Sequence, residues 1–540
     1  MSGVDDRVLA EVDAVFRARV ERGTAPSSVW GVFDRTGLVA TGGHGDRGDG
    51  LAPDEHTVYR IASCTKSVTA ATLLALVAAG RVQLDAPVTD FVPAFAAVEL
   101  PTSDSPVPTL RMLLTMAAGF PTDDPWADRQ ESISDAELDA VLRAGLLFDS
   151  VPGTRFAYSN LGYALLGRVI AVVAGAPYTE VAAATVLRPL GLDDTVFRAS
   201  DSRGFVVTGV RPHAGAWEPL PLSGPGAFSP IGGLFSTVAD LARWGRHLAS
   251  AFATEAGDAT GQDGGAQDEG TAPDDDTAPD SAAGQGSSPE PGPVSPADRR
   301  LMQQAMRVVP ASTLPGAARA TAYGFGLFVE QDPEFGELVS HSGGYPGFSA
   351  HMRWSVRDGL GVVAFENATQ AKVSAAADTA LDLVLAGYTS TAATTGQPAA
   401  GRAAATGRTA ATSQPAATGR TAATGQARAT GRTAAATRAA QATVTQLLAG
   451  WSDDLADAIC TPNVAQDVPY ERRRRAIAEA VAAVGADLTA APVAEQSSAP
   501  SHLRWWLPGT AGRLRVEIRL APLAGGRVQT LTVTPEPSER

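Results

Sequence analysis

Two stretches of the 540-residue chain have almost none of the large apolar residues that a packed core requires. Residues 251–298 carry 11 acidic and no basic side chains among many Gly, Pro, Ala, Ser and Thr residues. Residues 388–440 contain Ala-Thr-Gly-Arg-Thr-Ala-Ala three times, beginning at Ala405, Ala417 and Ala429. Segments of this composition cannot bury enough surface to offset the entropy lost on ordering. We therefore expect an acidic disordered insertion at 251–298 and a flexible repeat linker at 388–440.

The sequence on either side of the insertion predicts one α+β domain. Residues 1–250 begin with a helix, a hairpin and a strand, and turn mainly helical from about 84 to 200. Residues 299–387 predict successive antiparallel strands and then a helix, Val373 to Ala386. We expect 1–250 and 299–387 to form an antiparallel sheet flanked by helices, with an inserted helical subdomain. The clearer helical segments of that subdomain are Leu110 to Met116, Asp135 to Ala144 and Leu161 to Ala174.

Beyond the repeats, residues 441–540 predict a small α+β domain of unknown role. Two helical stretches, Gln441 to Ile459 and Tyr470 to Val484, precede three strand-like runs. In the middle run, Leu514 to Leu520, apolar residues alternate with Arg and Glu, which is typical of a half-exposed antiparallel sheet.

Composition excludes several classes of function. The net charge is −15, but the acidic insertion carries most of the excess and the rest is nearly balanced. Since the chain has no long basic patch and no apolar run of about 18 to 20 residues, we expect neither a nucleic-acid nor a membrane partner. The short Arg472 to Arg475 run is interpreted as a solvated helix turn.

Residue usage also bears on location and cofactors. The first 23 residues lack the pattern of a secretory signal, so a cytoplasmic protein is expected. Cys64 and Cys460 are far apart in sequence and imply no disulfide framework. No His, Cys or carboxylate cluster has ligand spacing, so we expect neither a metal nor another cofactor.

Ser63 and Lys66 are the first candidates for a chemical role. A helix would place residues three apart on one face, and the apolar residues that follow predict a helix that begins near Ser63. A lysine amine can take the proton of a serine hydroxyl, and free N–H groups at a helix start favour a developing oxyanion. The alternative is an ordinary solvated lysine. A thiol nucleophile at Cys64 is a further alternative, but it would leave the lysine spacing unexplained.

The scarcity of lysine strengthens this hypothesis. Of the 43 basic residues only Lys66 and Lys372 are lysines, and all others are arginines. A guanidinium keeps its proton in a protein, whereas a buried amine can lose it and act as a base. A lysine retained in so arginine-rich a chain therefore marks a candidate titrating site.

Tyr158 and Asn160 are the second pair of candidates, just before an apolar helix. A phenol near a lysine can share its proton, and a side-chain amide can hold a substrate carbonyl or the lysine. The alternative places Tyr158 in the core and makes Asn160 a helix N-cap.

The third candidate is the segment His341-Ser342-Gly343-Gly344, at the end of a predicted strand. There His341 can reach the tyrosine oxygen, and the backbone N–H of Gly344 can bind an oxyanion. A hairpin turn with a satisfied histidine is the alternative interpretation.

Together, in order and spacing, the three motifs resemble the serine β-lactamase and penicillin-binding-protein-like superfamily, nearest the class C β-lactamase, DD-peptidase and esterase branch. Ser63-x-x-Lys66 matches the first motif, Tyr158-x-Asn160 the second, and His341-Ser342-Gly343 the third. The resemblance covers about residues 5–387 without the acidic insertion, and it does not extend to the C-terminal unit. It implies a β-lactamase-like fold.

The resemblance also implies the site roles. Ser63 is the acylated nucleophile, with Lys66 and Tyr158 as its proton-transfer partners. Asn160 positions the substrate, the His341 to Gly343 motif contributes to substrate binding, and the backbone N–H groups of Ser63 and Gly344 bind the oxyanion.

His341 departs from the lysine that many relatives have in the third motif. A neutral histidine offers little to a substrate carboxylate, so we place hydrolysis of esters, amides or short peptides ahead of efficient β-lactam hydrolysis. The expected activity is that of an esterase, a D-amino-acid peptidase or amidase, or a DD-peptidase-like enzyme. The alternatives are a β-lactamase and a non-catalytic ligand sensor that retains the pocket.

Overall fold

A computed structural model describes residues 4–253, 294–311, 313, 319–369, 371–394 and 433–538. Most of 251–298 and of 388–440 lies outside the described residues, so the disorder expected there stays a prediction. The edges of both ranges are ordered. The helices Ser250–Phe252 and Pro296–Met302 flank the acidic insertion, and helices reach Thr394 and begin at Ala435 on the two sides of the repeats.

The centre of the fold is an eight-stranded antiparallel sheet with the strand order β2-β1-β12-β11-β10-β9-β8-β7. Its strands come from both sides of the acidic insertion, as expected for one domain built from two sequence blocks. They are β1 (Ser27–Phe33), β2 (Leu38–Gly45), β7 (Arg307–Val308), β8 (Ala320–Tyr323), β9 (Phe328–Asp332), β10 (Gly336–Tyr345), β11 (Phe348–Ser355) and β12 (Gly361–Glu366). Two short pairs complete this domain: β3 (Tyr59–Arg60) with β6 (Phe235–Ser236), and β4 (Val210–His213) with β5 (Ala216–Pro219).

Helices cover both faces of the sheet because side chains alternate between them along each strand. Trp30 and Val32 of β1 share a core with α1 (Asp6–Glu21) and α11 (Ser374–Thr394) on one face. Val29 and Phe33 point the other way, into the main core, which includes α9 (Val238–Ala249) and α2 (Thr65–Ala78).

The region predicted to be an inserted helical subdomain is helical. Its main helices are α3 (Leu110–Leu114), α4 (Asp124–Ala127), α5 (Asp135–Arg143), α6 (Asn160–Ala174) and α7 (Tyr178–Ala182). Two further short helices are α8 (Ser229–Gly232) and α10 (Pro296–Met302). Helix α6 packs against α2 and α3, and Tyr163 in the first turn of α6 lies under the Lys66 ammonium.

Residues 433–538, which we call the C-terminal unit, have a core of their own, as expected for a small α+β domain. Four antiparallel strands follow four helices: α12 (Ala435–Ala449), α13 (Asp453–Ile459), α14 (Asn463–Asp467), α15 (Tyr470–Val484), then β13 (Ala494–Gln496), β14 (His502–Gly509), β15 (Gly512–Leu520) and β16 (Val528–Pro537). The prediction of one helical stretch from Gln441 to Ile459 is wrong. Helix α12 ends before Gly450, and Ser452 caps α13 by accepting from the Leu455 N–H.

No single helix within the described ranges is long and apolar enough to cross a membrane. Two consecutive helical segments, Asn160–Ala174 and Tyr178–Leu187, reach the length and composition of a membrane span only when taken together, and the chain bends between them. Leu161, Leu165 and Val186 of that pair are fully buried in the main core. Those same described residues contain no group of three or more His, Cys, Asp or Glu side chains placed to hold a metal ion.

Candidate active site

Ser63 lies in a tight turn between β3 and α2. A single 3-10 turn, Ala62–Cys64, leads directly into α2, which begins at Thr65. Ala62 has a φ of 45°, in the left-handed region that residues other than glycine rarely adopt. The turn places half-buried Ser63 on the wall of a cavity of about 690 Å³.

Lys66 is fully buried one helical turn after Ser63, and its Nζ lies 2.9 Å from the Ser63 Oγ. The ammonium also donates to the Ile231 carbonyl at 2.7 Å. Burial lowers the pKa of Lys66 to about 8, while nearby carboxylates, Asp124 foremost, act in the opposite direction. With a pKa of about 8, roughly a tenth of Lys66 is neutral at pH 7, and this fraction can accept the Ser63 proton.

Tyr158 lies on the same cavity wall, with its ring beneath the Lys66 ammonium at 5.1 Å from the ring centroid. Desolvation is the main cause that raises the pKa of Tyr158 well above its ordinary value, and a hydrogen bond with Ser63 partly offsets it. The phenol thus stays protonated at neutral pH and can donate a proton. The structure thus brings Ser63, Lys66 and Tyr158 of the first two motifs together.

Asn160 is placed differently from the expectation. It is fully buried at the start of α6 and does not line the cavity. Its Nδ2 donates to Asp124 Oδ1 at 2.6 Å, and its backbone N–H donates to Asp123 Oδ1 at 2.6 Å. Asn160 thus holds the carboxylate of a cavity residue, and its predicted contact with substrate stays a prediction.

His341 borders the cavity from the middle of β10, so the predicted strand end at this residue is wrong. Its hydrogen-bond partner is not Tyr158. Its Nδ1 donates to the Ser342 carbonyl at 2.7 Å, which leaves Nε2 to accept from the Tyr323 hydroxyl at 3.1 Å. The Tyr158 ring centroid is 6.3 Å from that of His341. Burial, together with the Lys66 charge, lowers the pKa of His341 to about 3, so the ring is neutral.

The remainder of the third motif lines the cavity as well. Ser342 and Gly344 are exposed on its wall, and the Ser342 hydroxyl bonds His351 Nδ1 at 2.9 Å. Gly343 faces the nucleophile turn so closely that a Cβ there would lie 2.1 Å from the Ile61 carbonyl oxygen. Only glycine lets β10 approach the turn this closely, which brings Ser63 and Gly344 to one cavity.

Three acidic residues that sequence reasoning missed lie beside the site. Asp123 is buried and caps α6, and burial raises its pKa to about 7. Asp124 and Asp128 line the cavity, and desolvation raises the pKa of each. The cluster of three aspartates within six residues was the available signal, but nothing in the sequence placed it next to Lys66.

Lys372 is a fourth residue that was not assigned to the site, although the scarcity of lysine could have identified it. It follows β12, has a φ of 53°, and its exposed side chain lines the same cavity as Ser63. Of the described residues, none provides a carboxylate or carbonyl partner for its ammonium. Both lysines of the chain therefore lie at one site.

Cys64 lies beside Ser63 but faces away from the cavity. Its thiol is fully buried and donates to the His341 carbonyl at 3.3 Å. Burial raises its pKa to about 12, so almost no thiolate exists at neutral pH. The geometry therefore favours the serine over the neighbouring cysteine as nucleophile.

The family model described as Beta-lactamase matches residues 12–387. This chain belongs to the beta-lactamase family. The match spans both sequence blocks of the eight-stranded sheet and ends before the repeats, so the C-terminal unit lies outside the family region.

Relatives of this beta-lactamase-family chain include the D-alanyl-D-alanine-carboxypeptidase/endopeptidase AmpH of Escherichia coli (strain K12). The two are 32% identical over 212 residues, which cover 36% of this chain and 50% of AmpH. Esterase EstB of Burkholderia gladioli is 33% identical over 190 residues, which cover 33% of this chain and 47% of EstB. The chain thus spans about half the length of these curated relatives.

Among solved structures, the octameric penicillin-binding protein homologue from Pyrococcus abyssi superimposes with a TM-score of 0.56 at 24% sequence identity. The superposition covers 70% of this chain and 77% of that one. At this level of identity the likeness establishes the fold alone.

Proposed function

We propose that the protein is a serine hydrolase that cleaves esters or amides through an acyl-enzyme on Ser63. The observation that carries this proposal is the 2.9 Å approach of the buried Lys66 amine, with its lowered pKa, to the Ser63 hydroxyl. The relatives support the reaction class, since one is named a carboxypeptidase/endopeptidase and another an esterase.

In the proposed first step, neutral Lys66 accepts the hydroxyl proton as Ser63 Oγ attacks the substrate carbonyl. The developing oxyanion is bound by the backbone N–H groups of Ser63 and Gly344. Tyr158, which keeps its proton, donates to the leaving alcohol or amine and recovers a proton from Lys66. Water then attacks the acyl-enzyme: Tyr158 passes its proton to Lys66 and takes one from the water. Lys66 returns a proton to Ser63 Oγ as the acid is released.

Asn160 acts in this scheme through Asp124 rather than on substrate. Its amide holds the Asp124 carboxylate at 2.6 Å, and that carboxylate stabilises the protonated form of Lys66. Asn160 is therefore proposed as a positioning residue.

Neutral esters and amides are the favoured substrates, because His341 is neutral and the acidic residues Asp124 and Asp128 line the cavity. A second candidate is a peptide or β-lactam with a free carboxylate. The observation that favours it is Lys372, whose exposed ammonium lines the same cavity without a partner among the described residues.

Substrate panels on three forms of the protein separate the two candidates. We expect the unmodified enzyme to hydrolyse p-nitrophenyl butyrate faster than a chromogenic cephalosporin, and Ser63→Ala to hydrolyse neither. His341→Lys should raise the cephalosporin-to-butyrate ratio by at most about tenfold, since one accessible charged contact is worth roughly 1 kcal/mol. Lys372→Ala should leave that ratio unchanged.

A fall of the ratio in Lys372→Ala would support the carboxylate-bearing substrate instead. Faster cephalosporin hydrolysis by the unmodified enzyme would contradict the ester preference. Absence of turnover with every ester, amide and cephalosporin tested would favour the ligand sensor.

A further inference from the structure

The C-terminal unit contributes part of the active-site wall. Asp467, the last residue of α14, and Val468 line the same cavity as Ser63, Tyr158 and Gly344. The family match ends at residue 387, so this part of the wall comes from outside the hydrolase domain.

Two arginines of the hydrolase domain hold this segment in place. Arg129 pairs with the Asp467 carboxylate at 2.8 Å, and the Arg129 side chain is only 13% exposed. Arg211 Nη1 donates to the backbone carbonyls of Gln466 and Asp467 at 3.0 and 2.9 Å. Because the backbone and the side chain of Asp467 are both bound, the position of the next residue, Val468, is well defined.

Gln529 binds the C-terminal unit to residues 122–126, in the segment that precedes Arg129. Its Nε2 donates to the Thr122 carbonyl at 2.8 Å, and its Oε1 accepts from the Trp126 N–H at 3.2 Å. Gln529 is 1% exposed, so these bonds are shielded from water. Thr122 and Trp126 bracket Asp124, and the C-terminal unit therefore grips the loop that carries a cavity aspartate.

Val468 offers the cavity an apolar surface. Its side chain is 38% exposed, and the aromatic rings of Phe156 and Phe328 line the same cavity. A partly exposed valine in such a cleft gains burial only when an apolar group occupies the space before it.

We propose that Val468 is a specificity-determining residue, by which the C-terminal unit limits the size of the apolar substrate group bound beside Ser63. This inference rests on the proposed function. A smaller side chain at 468 makes room for longer groups, and a larger one excludes them, since each methylene that a pocket accepts or rejects is worth about tenfold or more in selectivity.

The test compares Val468→Ala and Val468→Trp with the unmodified full-length protein. Two ester series are measured: p-nitrophenyl acetate, butyrate and octanoate vary the acyl chain, and ethyl, butyl and octyl butyrate vary the alcohol. In at least one of the two series, Val468→Ala should raise the long-to-short ratio of kcat/KM at least about threefold. In the same series, Val468→Trp should lower this ratio at least about tenfold. Val493→Ala and Val493→Trp are matched controls, because Val493 is 61% exposed in the same unit and lines no part of this cavity.

Labelling of Ser63 by ethyl and octyl fluorophosphonates provides a readout that needs no turnover. The inference is overturned if neither Val468 substitution changes the long-to-short ratio, either in the two ester series or in the labelling rates. If Ser63 is still labelled in that case, the proposed function stays intact. Equal effects of the Val493 substitutions would also overturn it. If neither probe labels Ser63 of the unmodified protein, both proposals fail.

Discussion

At the scale of single residues, the chemistry depends on the protonation state of Lys66. Burial favours its neutral form, whereas Asp124, Asp128 and Asp123 favour the charged form, and the balance gives a pKa of about 8. A base poised near the working pH is what general-base catalysis requires.

Lys66→Arg keeps the positive charge but removes the titratable amine. We expect kcat to fall by at least about a hundredfold, the usual contribution of a general base. In the unmodified enzyme, kcat/KM should rise with pH and level off above about 8, because the amine acts only after it loses its proton. Steady-state kinetics from pH 6 to 10 check both points. Near-normal turnover of Lys66→Arg would mean that Lys66 is not the base.

Asp124→Asn tests the electrostatic side of this balance. The Asp124 charge raises the pKa of Lys66, so its removal should move the rising limb of the pH profile to lower pH. Asp85→Asn is a matched control, since Asp85 is exposed and pairs with Arg111 on the surface. The assigned role of Asp124 would be contradicted if the rising limb of the pH profile stays in place in Asp124→Asn, or if it moves equally in both variants.

At the scale of secondary-structure elements, the site depends on how closely β10 passes the nucleophile turn. Gly343 allows this approach, since a Cβ at that position would overlap the Ile61 carbonyl oxygen. The Cys64 thiol and the His341 carbonyl make a second contact between the same two elements, at 3.3 Å.

Gly343→Ala should therefore displace β10 from the turn. We expect a loss of about tenfold to a hundredfold in kcat/KM, because displacements of about 1 Å in a catalytic geometry have effects of that size. Gly224→Ala is the control, since a Cβ at exposed Gly224 meets nothing within 4 Å. Equal activity of the two variants would show that the close approach is not needed.

The sequence predicted the elements better than their contacts. The spacing of Ser63 and Lys66 is local to one helix, so helical geometry alone brings them together. His341 was assigned to the wrong phenol, because the choice between Tyr158 and Tyr323 depends on how β8, β10 and the helical subdomain pack. The bond from Asn160 to Asp124 was not predicted for the same reason, since it follows from the fold of residues 120–131.

At the scale of the whole molecule, two units share one active-site cavity. Polar contacts cross their boundary: Arg472 pairs with Glu218 at 2.7 Å, and Asp149 accepts from the Ser501 N–H and hydroxyl at 2.7 and 2.9 Å. Apolar contacts cross it as well, since Ala521 of the C-terminal unit belongs to the main core. This arrangement could not be predicted from the sequence, because nothing local to residues 463–468 points to the catalytic domain.

Gln529→Ala should loosen this boundary. It leaves the Trp126 N–H and the Thr122 carbonyl without their buried partner, which we expect to lower the free energy of unfolding by about 2 kcal/mol. Gln446→Ala removes an exposed glutamine from α12 of the same unit, and should change that free energy by less than about 0.5 kcal/mol. Urea denaturation followed by tryptophan fluorescence measures both, and equal values for the two variants would contradict a structural role of Gln529.

The central claim, an acyl-enzyme on Ser63, is tested most directly by mass spectrometry. The enzyme is mixed with p-nitrophenyl acetate, quenched with acid within the first turnovers, digested, and the peptide that contains residues 63 and 64 is fragmented. We predict an added acetyl group on Ser63 in the unmodified enzyme and none in Ser63→Ala, which should also be inactive. An acetyl group on Cys64, or full activity of Ser63→Ala, would contradict the mechanism.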